Sequence, residues 1–216
     1  MEIEVKQSVF AENERVAAEI KRILAAAGVV ALNLMGAPGA GKTSALIQII
    51  HRLPDCGVQV IEGDIASELD TLKLRAMGVR AVQINTGGAC HLEASVILRT
   101  VREMTLEPGY LFIENIGNLV CPAEFEIGEQ AKILVCAATE GSDKPYKYPL
   151  AFEKAGAVLL TKCDLKEFVG FDTDFFRAGV RALNPRAPLF EVNARTGEGF
   201  GPVAAWLKEL AAESTD

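Results

Sequence analysis

The 216-residue chain is predicted to be an α/β protein of three layers, a mostly parallel seven-stranded sheet flanked by helices. Three observations predict it. Helix-patterned stretches alternate with short apolar ones along the chain, as in folds built on a parallel sheet. The short stretches are continuous apolar runs, which suits strands covered on both faces. One of them, VVALNLM, runs into Gly36-Ala37-Pro38-Gly39-Ala40-Gly41-Lys42-Thr43 and then a helix pattern. That is a G-x-x-x-x-G-K-[ST] phosphate loop in its strand-to-helix context, and it specifies the P-loop NTPase version of the fold.

In order, a helix is predicted over 8–27, with Asn13 or Ser8 as its cap, an apolar stripe at Val16, Ile20, Ile23 and Leu24, and Gly28 as its stop. Strand 29–35 and the phosphate-loop helix 42–53 follow, closed by a turn at Pro54-Asp55-Cys56-Gly57. Strand 58–62, helix 67–77, strand 80–84, helix 92–104 and strand 110–115 continue the alternation. Residues 116–129 read as irregular and 132–138 as a strand. A polar loop rich in Gly and Lys spans 139–148. The chain then alternates helix 149–155, strand 157–161, helix 172–183, strand 188–192 and helix 201–212, the last with Trp206 and Leu210 facing inward. No repeat or linker interrupts this order, so one domain is expected over 1–216, with 1–28 as a helical extension packed on it.

Composition narrows the class. Half the residues are hydrophobic, and the formal charge is −7 without any basic cluster, which argues against a nucleic-acid partner. The charged N-terminus lacks the apolar stretch of a signal peptide. No apolar run approaches the roughly 18 residues of a membrane span. Five irregularly spaced cysteines do not make a disulfide framework. A cytoplasmic protein with no membrane partner is expected.

The phosphate loop predicts a nucleoside triphosphate ligand. Gly36, Gly39 and Gly41 let backbone N–H groups converge on one anion, with Ala37, Pro38 and Ala40 between them and the helix N-terminus adding its dipole. Lys42 would reach the β- and γ-phosphates, and the Thr43 hydroxyl, followed by Ser44, would ligate Mg²⁺. Glu114-Asn115-Ile116-Gly117 ends a strand; its carboxylate suits Mg²⁺, commonly through water, and the Gly117 amide suits the γ-phosphate. A loop-capping Glu is the alternative, outweighed by the phosphate loop. Thr161-Lys162-Cys163-Asp164 is similar to the Asn-Lys-x-Asp motif of GTPases. The Asp164 carboxylate can accept from both N1–H and the 2-amino group of guanine, and Lys162 can cover the base. Thr161 stands where Asn is usual, which puts one side-chain contact in doubt. Asn193-Ala194-Arg195 resembles the Ser-Ala-Lys loop that meets guanine O6. Together these favour GTP/GDP over adenine nucleotides.

Cys90 and His91 lie in a Gly-rich loop, and Cys121 lies just past the Glu114–Gly117 turn. Both loops should open on the nucleotide side of the sheet. Two thiolates and an imidazole suit Ni²⁺ or Zn²⁺, but three ligands leave the coordination to be completed by water or by a second copy of the site. The alternative is that both cysteines are small buried hydrophobes and His91 merely starts a helix. Cys136 reads as core and His51 as solvated.

The segments MGAPGAGKTS, EGDIASELD, NTGGACHLEAS, LFIENIGNLVCPAEFEIGE, TEGSDKPYKYP, TKCD and NARTGEGF resemble the HypB family, GTPases that assist nickel incorporation into [NiFe]-hydrogenase. They span residues 35–200. The related urease GTPase UreG typically has Cys-Pro-His where this chain has Cys90-His91, and it lacks the NLVCP segment. The resemblance implies a slow, Mg²⁺-dependent GTPase that forms a homodimer promoted by GTP and metal, with Cys90, His91 and Cys121 as an interface site for nickel or zinc. It implies that Asp64 belongs to a switch near Mg²⁺ and the γ-phosphate. Lys144 and Lys147 are candidates to reach phosphate, within the protomer or across the dimer. The nickel chaperone HypA and the hydrogenase large subunit are the implied partners. Neither an N-terminal cysteine motif nor a His-rich stretch is present, so high-affinity nickel storage is not expected. Other readings are a regulatory GTPase with a structural Cys/His group, the urease-maturation role, a metal-storage protein, and a metabolic kinase, for which the strand ends lack an Arg cluster.

Overall fold

The computed structural model describes residues 5–64 and 69–214, with side chains from Phe10 onward. The described strands are β1 (Val29–Met35), β2 (Val58–Asp64), β3 (Arg80–Asn85), β4 (Gly109–Glu114), β5 (Ala131–Ala137), β6 (Ala157–Thr161) and β7 (Leu189–Glu191). They form a seven-stranded sheet in the order β3-β2-β4-β1-β5-β6-β7, and every pairing is parallel. The helices are α1 (Val5–Ala26), α2 (Lys42–Ile50), α3 (Leu69–Ala76), α4 (Ala94–Glu103), α5 (Cys121–Glu124), α6 (Lys144–Lys147), α7 (Pro149–Glu153), α8 (Thr173–Leu183) and α9 (Phe200–Glu213).

The period-two alternation of strand side chains divides the core between the two faces of the sheet. Leu32 and Leu34 of β1 and Phe112 of β4 face α2 and α9, where they meet Leu46, Ile49, Phe200 and Leu207. Trp206 and Leu210 pack partly buried against this cluster. Val29 and Ala31 of β1 and Ile113 of β4 face Ile20 and Leu24 of α1 and Ile97 and Val101 of α4. Met35, Leu134 and Cys136 meet Phe152 of α7 and Phe176 of α8. From β1 the chain crosses to β2 on one side, and from β4 it crosses to β5 on the other. Ligands in such sheets bind beyond the strand ends where that direction reverses, and here that is the end of β1.

Several boundaries differ from expectation. The first helix starts at Val5, so Ser8 and Asn13 lie within it rather than capping it. Asn13 is held by a tertiary contact, donating to the Glu126 carbonyl at 2.8 Å. The helix expected from Ser67 is observed from Leu69; Ser67 lies outside the described residues. The irregular stretch 116–129 contains the one-turn helix α5, with a Pro in its first turn. The polar loop 139–148 contains a 3₁₀ turn and α6. The other elements match to within a few residues at their ends; the phosphate-loop helix stops earliest, at Ile50, followed by a turn. Cys136 is buried and His51 is exposed.

The end of β1 is tightly fitted. A Cβ on Gly36 would lie 2.3 Å from the Val135 carbonyl oxygen on β5, and backbone cannot yield as a flexible side chain does. Gly36→Ala is expected to lose about 1–3 kcal/mol of stability through overpacking. Gly201→Ala, on the open first turn of α9 where an added Cβ meets nothing within 4 Å, should be neutral or stabilising. Paired denaturant midpoints check both.

Candidate functional site

The phosphate loop bends where Gly39 and Gly41 adopt φ of +76° and +91°, conformations that only glycine takes without strain. α2 begins immediately after, at Lys42, and presents its unpaired N–H groups to the cavity. Lys42 is buried, and its ammonium lies 3.3 Å and 3.5 Å from the Gly36 and Ala37 carbonyls. Burial pulls its pKa down, opposed by the carboxylates of Glu114, Glu140 and Asp64. The Thr43 hydroxyl donates to Glu114 Oε1 at 2.8 Å and lies 3.2 Å from Asp70 Oδ2. Glu114 Oε2 is buried with no hydrogen-bond partner among the described residues. Burial raises Glu114 to about 7, against the opposing charge of Lys42 and the Thr43 hydrogen bond.

These groups line a cavity of about 570 Å³ that also includes Asp64 and Gly117. A Cβ on Gly117 would lie 2.8 Å from Pro38, so the Glu114–Gly117 turn sits against the phosphate loop. Asp70 and Lys73 of α3 line the cavity too, paired at 2.6 Å. So does Glu62 of β2, which accepts a hydrogen bond from Thr71. Sequence patterns did not single out these three residues. Glu62 and Asp70 stand at the two ends of the EGDIASELD segment, and that clustering of acids was the available signal. The orphaned Glu114 oxygen beside the Thr43 hydroxyl and the Asp70 carboxylate is a donor set of hard oxygens, which fits Mg²⁺.

A second cavity of about 280 Å³ shares Gly41, Ser44 and Lys162 with the first and is closed by Asp164, Asn193, Ala194 and Arg195. The two together form one elongated site, polar at the phosphate end and more apolar at the other. Thr161 is buried, and its hydroxyl donates to the Ala40 carbonyl at 2.6 Å, with the Cys136 carbonyl at 3.3 Å. Through this hydroxyl β6 is tied directly to the phosphate loop. Lys162 takes a left-handed φ of +55° and donates to the Gly39 carbonyl at 2.9 Å, so its stem crosses the cavity mouth. Asn193 Oδ1 accepts from Arg195 N at 2.9 Å, and Gln48 donates to the Ala194 carbonyl, which orders the last loop.

The third group lies beyond β3 and β4. Cys90 Sγ is 3.2 Å from Cys121 Sγ and 3.4 Å from His91 Nδ1, and the three ligand atoms fall within 4.8 Å of one another. Among the described residues no other group of His, Cys, Asp or Glu converges in this way. Cys90 is exposed; His91 and Cys121 are half-buried. The small-hydrophobe alternative fails for Cys90, which is not in the core. The Cys121 sulfur accepts the Cys90 thiol's hydrogen bond, and this contact holds the Cys90 pKa above its usual value. Burial lowers His91, against Glu93 and Glu124. The imidazole is stacked on Phe125 at 4.9 Å, and Phe125 on Phe10 of α1 at 5.1 Å. Two sulfurs and a nitrogen at this spacing fit a borderline-soft divalent ion with an open position.

Lys144 pairs with Glu140 at 3.1 Å and lies over the Tyr148 ring, while Lys147 pairs with Asp143. Neither lines the phosphate cavity of its own protomer.

Known proteins are similar to this chain over most of its length. A family model described as the CobW/HypB/UreG nucleotide-binding domain matches residues 30–191. The hydrogenase maturation factor HypB of Rhizobium leguminosarum bv. viciae is 45% identical over 212 residues, covering 97% of this chain and 71% of that one. The crystal structure of HypB from Archaeoglobus fulgidus aligns with a TM-score of 0.87 at 35% identity, covering 93% of this chain and 99% of that one. HypB from Helicobacter pylori, solved in complex with nickel, aligns with a TM-score of 0.87 at 35% identity over 95% and 97%. With the P-loop NTPase fold, the motif order and matches that run nearly end to end, this chain belongs to the HypB family of hydrogenase maturation factors.

Proposed function

We propose that this chain is a single-domain, Mg²⁺-dependent GTPase of the cytoplasm that carries nickel or zinc at Cys90, His91 and Cys121 and assists nickel delivery to hydrogenase. The observation that carries this reading is the stretch 114–121, which serves both sites. Glu114 bonds Thr43, Gly117 packs on Pro38, Asn118 bridges to Gly36 and donates to the Cys90 carbonyl at 3.1 Å, and Cys121 supplies a thiol. Nucleotide state and metal geometry are read by one piece of backbone.

In this reading Thr43, Glu114 and Asp64, with Asp70 beside them, hold Mg²⁺, and Asp164 selects guanine. Mg²⁺ neutralises charge on the β- and γ-phosphates. Lys42 and the loop N–H groups do the same from the protein side. Among the described residues of the cavity none is placed as a strong base for the attacking water, which suits slow hydrolysis and a switch. Three ligands leave room for a partner's contribution, so a homodimer promoted by GTP and metal completes the interface site. HypA and the hydrogenase large subunit are the expected partners. The test is Ni²⁺ and Zn²⁺ affinity with GDP and with a non-hydrolysable GTP analogue, in the native chain and in Cys121→Ala. A severalfold difference between nucleotides, abolished in the variant, is expected. Equal affinities, or an unaffected variant, would overturn the coupling.

A pH dependence follows from Glu114. Its carboxyl, raised to about 7, is about nine-tenths protonated at pH 6 and one-tenth at pH 8. Only the carboxylate holds a cation, so apparent Mg²⁺ affinity should rise about tenfold between these values, beyond the change in Glu114→Gln. Subtracting the variant removes the titration of the nucleotide itself. Isothermal titration at the two pH values reads the difference, and identical slopes would refute the assignment.

A further inference from the structure

Between the two cysteine loops the core contains a run of buried polar side chains; Lys132, Glu129 and Asn33 lie outside the phosphate cavity, and Asn115 lines its edge. Lys132, in the first half of β5, and Glu129, in the turn before it, are each under one-tenth exposed and pair at 2.7 Å. The Lys132 ammonium has three protons and three partners. The second and third are the Pro122 carbonyl at 3.0 Å and the Phe125 carbonyl at 2.6 Å, at the end of α5. Glu129 Oε2 accepts from Ile127 N at 2.7 Å, and Oε1 accepts from Asn33 Nδ2 at 3.2 Å. Asn33, midway along β1, accepts in turn from Asn115 at 3.2 Å. Asn115 Oδ1 accepts from Ile116 N and from Leu92 N, both at 3.0 Å, and Leu92 follows His91. The run thus begins at the turn that carries Cys121 and ends at the loop that carries Cys90 and His91.

We infer that Lys132 and Glu129, acting through Asn33 and Asn115, are positioning residues that set the separation of the two thiol-bearing loops. The inference rests on the metal reading proposed above. A buried ion pair is a poor way to stabilise a sheet, because well-packed apolar residues of similar volume commonly do as well or better. Its use lies in where its hydrogen bonds go. A four-residue helix such as α5 does not persist on its own, and its last carbonyls need donors. Lys132 supplies them from a central strand, so the turn bearing Cys121 is fixed to the sheet rather than to the loop around it. Asn115 fixes the other loop through Leu92 N. Outer partners of this kind orient ligands without touching the metal, and their loss commonly weakens affinity about 10–100-fold.

The test compares the full chain with the double variant Lys132→Met/Glu129→Leu, which leaves no unpaired charge. Two readouts are taken on folded protein: Ni²⁺ affinity, and, without metal, the rate at which diamide closes a Cys90–Cys121 disulfide, followed by mass. The expected result is Ni²⁺ affinity about 10–100-fold weaker, as for lost outer-shell partners, disulfide closure markedly slower, and GDP affinity within about twofold. Either Ni²⁺ affinity or closure within about twofold of the native chain overturns the inference. A parallel loss of GDP affinity also overturns it, since that marks general loosening. If the double variant does not fold, Lys132→Arg, which keeps the charge but cannot reproduce the same three bonds, is judged by the same criteria. Cys121→Ala separates the two claims. If it leaves Ni²⁺ affinity unchanged the metal reading fails, whereas a normal closure rate in the double variant defeats the positioning claim alone.

Discussion

Replacing Lys42 with Met is expected to slow GTP hydrolysis by at least about 100-fold, the scale on which preorganised charge at a transferring phosphoryl group acts. Two effects combine. The first is direct: Lys42 is buried at the head of α2, its ammonium poised over the Gly36 and Ala37 carbonyls, and on the proposed function it is the loop's cation for the β- and γ-phosphates. The second runs through Glu114. That carboxyl is raised to about 7 by burial even with the charge of Lys42 opposing the shift. Without the ammonium its pKa climbs further, so at neutral pH it is protonated and unable to hold Mg²⁺. The variant should therefore show a steeper requirement for Mg²⁺ as well as a lower rate, and raising the pH should restore part of the Mg²⁺ affinity but not the rate. Single-turnover phosphate release at saturating GTP, over a Mg²⁺ series, measures both. A rate within tenfold of the native chain would mean that Lys42 is not the cation on which phosphoryl transfer depends.

The parts of the molecule that were legible in the sequence are those in which local pattern and tertiary fate coincide. Continuous apolar runs became central strands because a parallel sheet buries both faces. Gly39 and Gly41 were readable because their φ values exclude other residues. Cys90 and Cys121 are 31 positions apart, and their sulfurs meet at 3.2 Å. They could be paired beforehand only on the argument that loops after parallel strands share one end of the sheet. What escaped was structure whose cause lies elsewhere in the chain. α5 has no helical signature of its own; its carbonyls are satisfied by Lys132. The cap expected at Asn13 failed because the helix already runs from Val5, and that side chain instead bonds Glu126, a partner no local pattern announces. Asp70 reaches Thr43 from a helix that follows the EGDIAS stretch, and the partners of Asn33, within an apolar run, lie on distant elements. Lys162 and Thr161 illustrate an intermediate case. Their motif was readable, but the bond from Thr161 to the Ala40 carbonyl required the fold.

Exchanging Asp164 for Asn is expected to weaken GDP and GTP binding by about 100- to 1,000-fold while improving binding of xanthosine nucleotides. Asp164 is exposed at the end of β6, with no hydrogen-bond or ion-pair partner among the described residues, and it lines the smaller cavity beside Arg195. Both of its oxygens are thus free to accept from the N1–H and 2-amino groups of guanine. Charge-assisted hydrogen bonds contribute about 1.5–3 kcal/mol each, so a pair is worth two or more orders of magnitude in affinity. An Asn in the same place loses the charge and turns a donor toward one of guanine's two donors, which adds repulsion to the loss. Xanthine has a carbonyl where guanine has its 2-amino group, and that carbonyl accepts from the Asn amide. The lost and gained contacts both lie at the base end, so the phosphate cavity around Lys42 and Thr43 should be unaffected. Hydrolysis of the xanthosine triphosphate at saturation should then approach the native rate with GTP, which separates a change of specificity from damage to the site. Competition of GDP, XDP and ADP against a fluorescent GDP measures the switch. A variant that still binds GDP within threefold of the native chain, or a native chain that binds ADP as well as GDP, would mean that the base is selected by something other than Asp164.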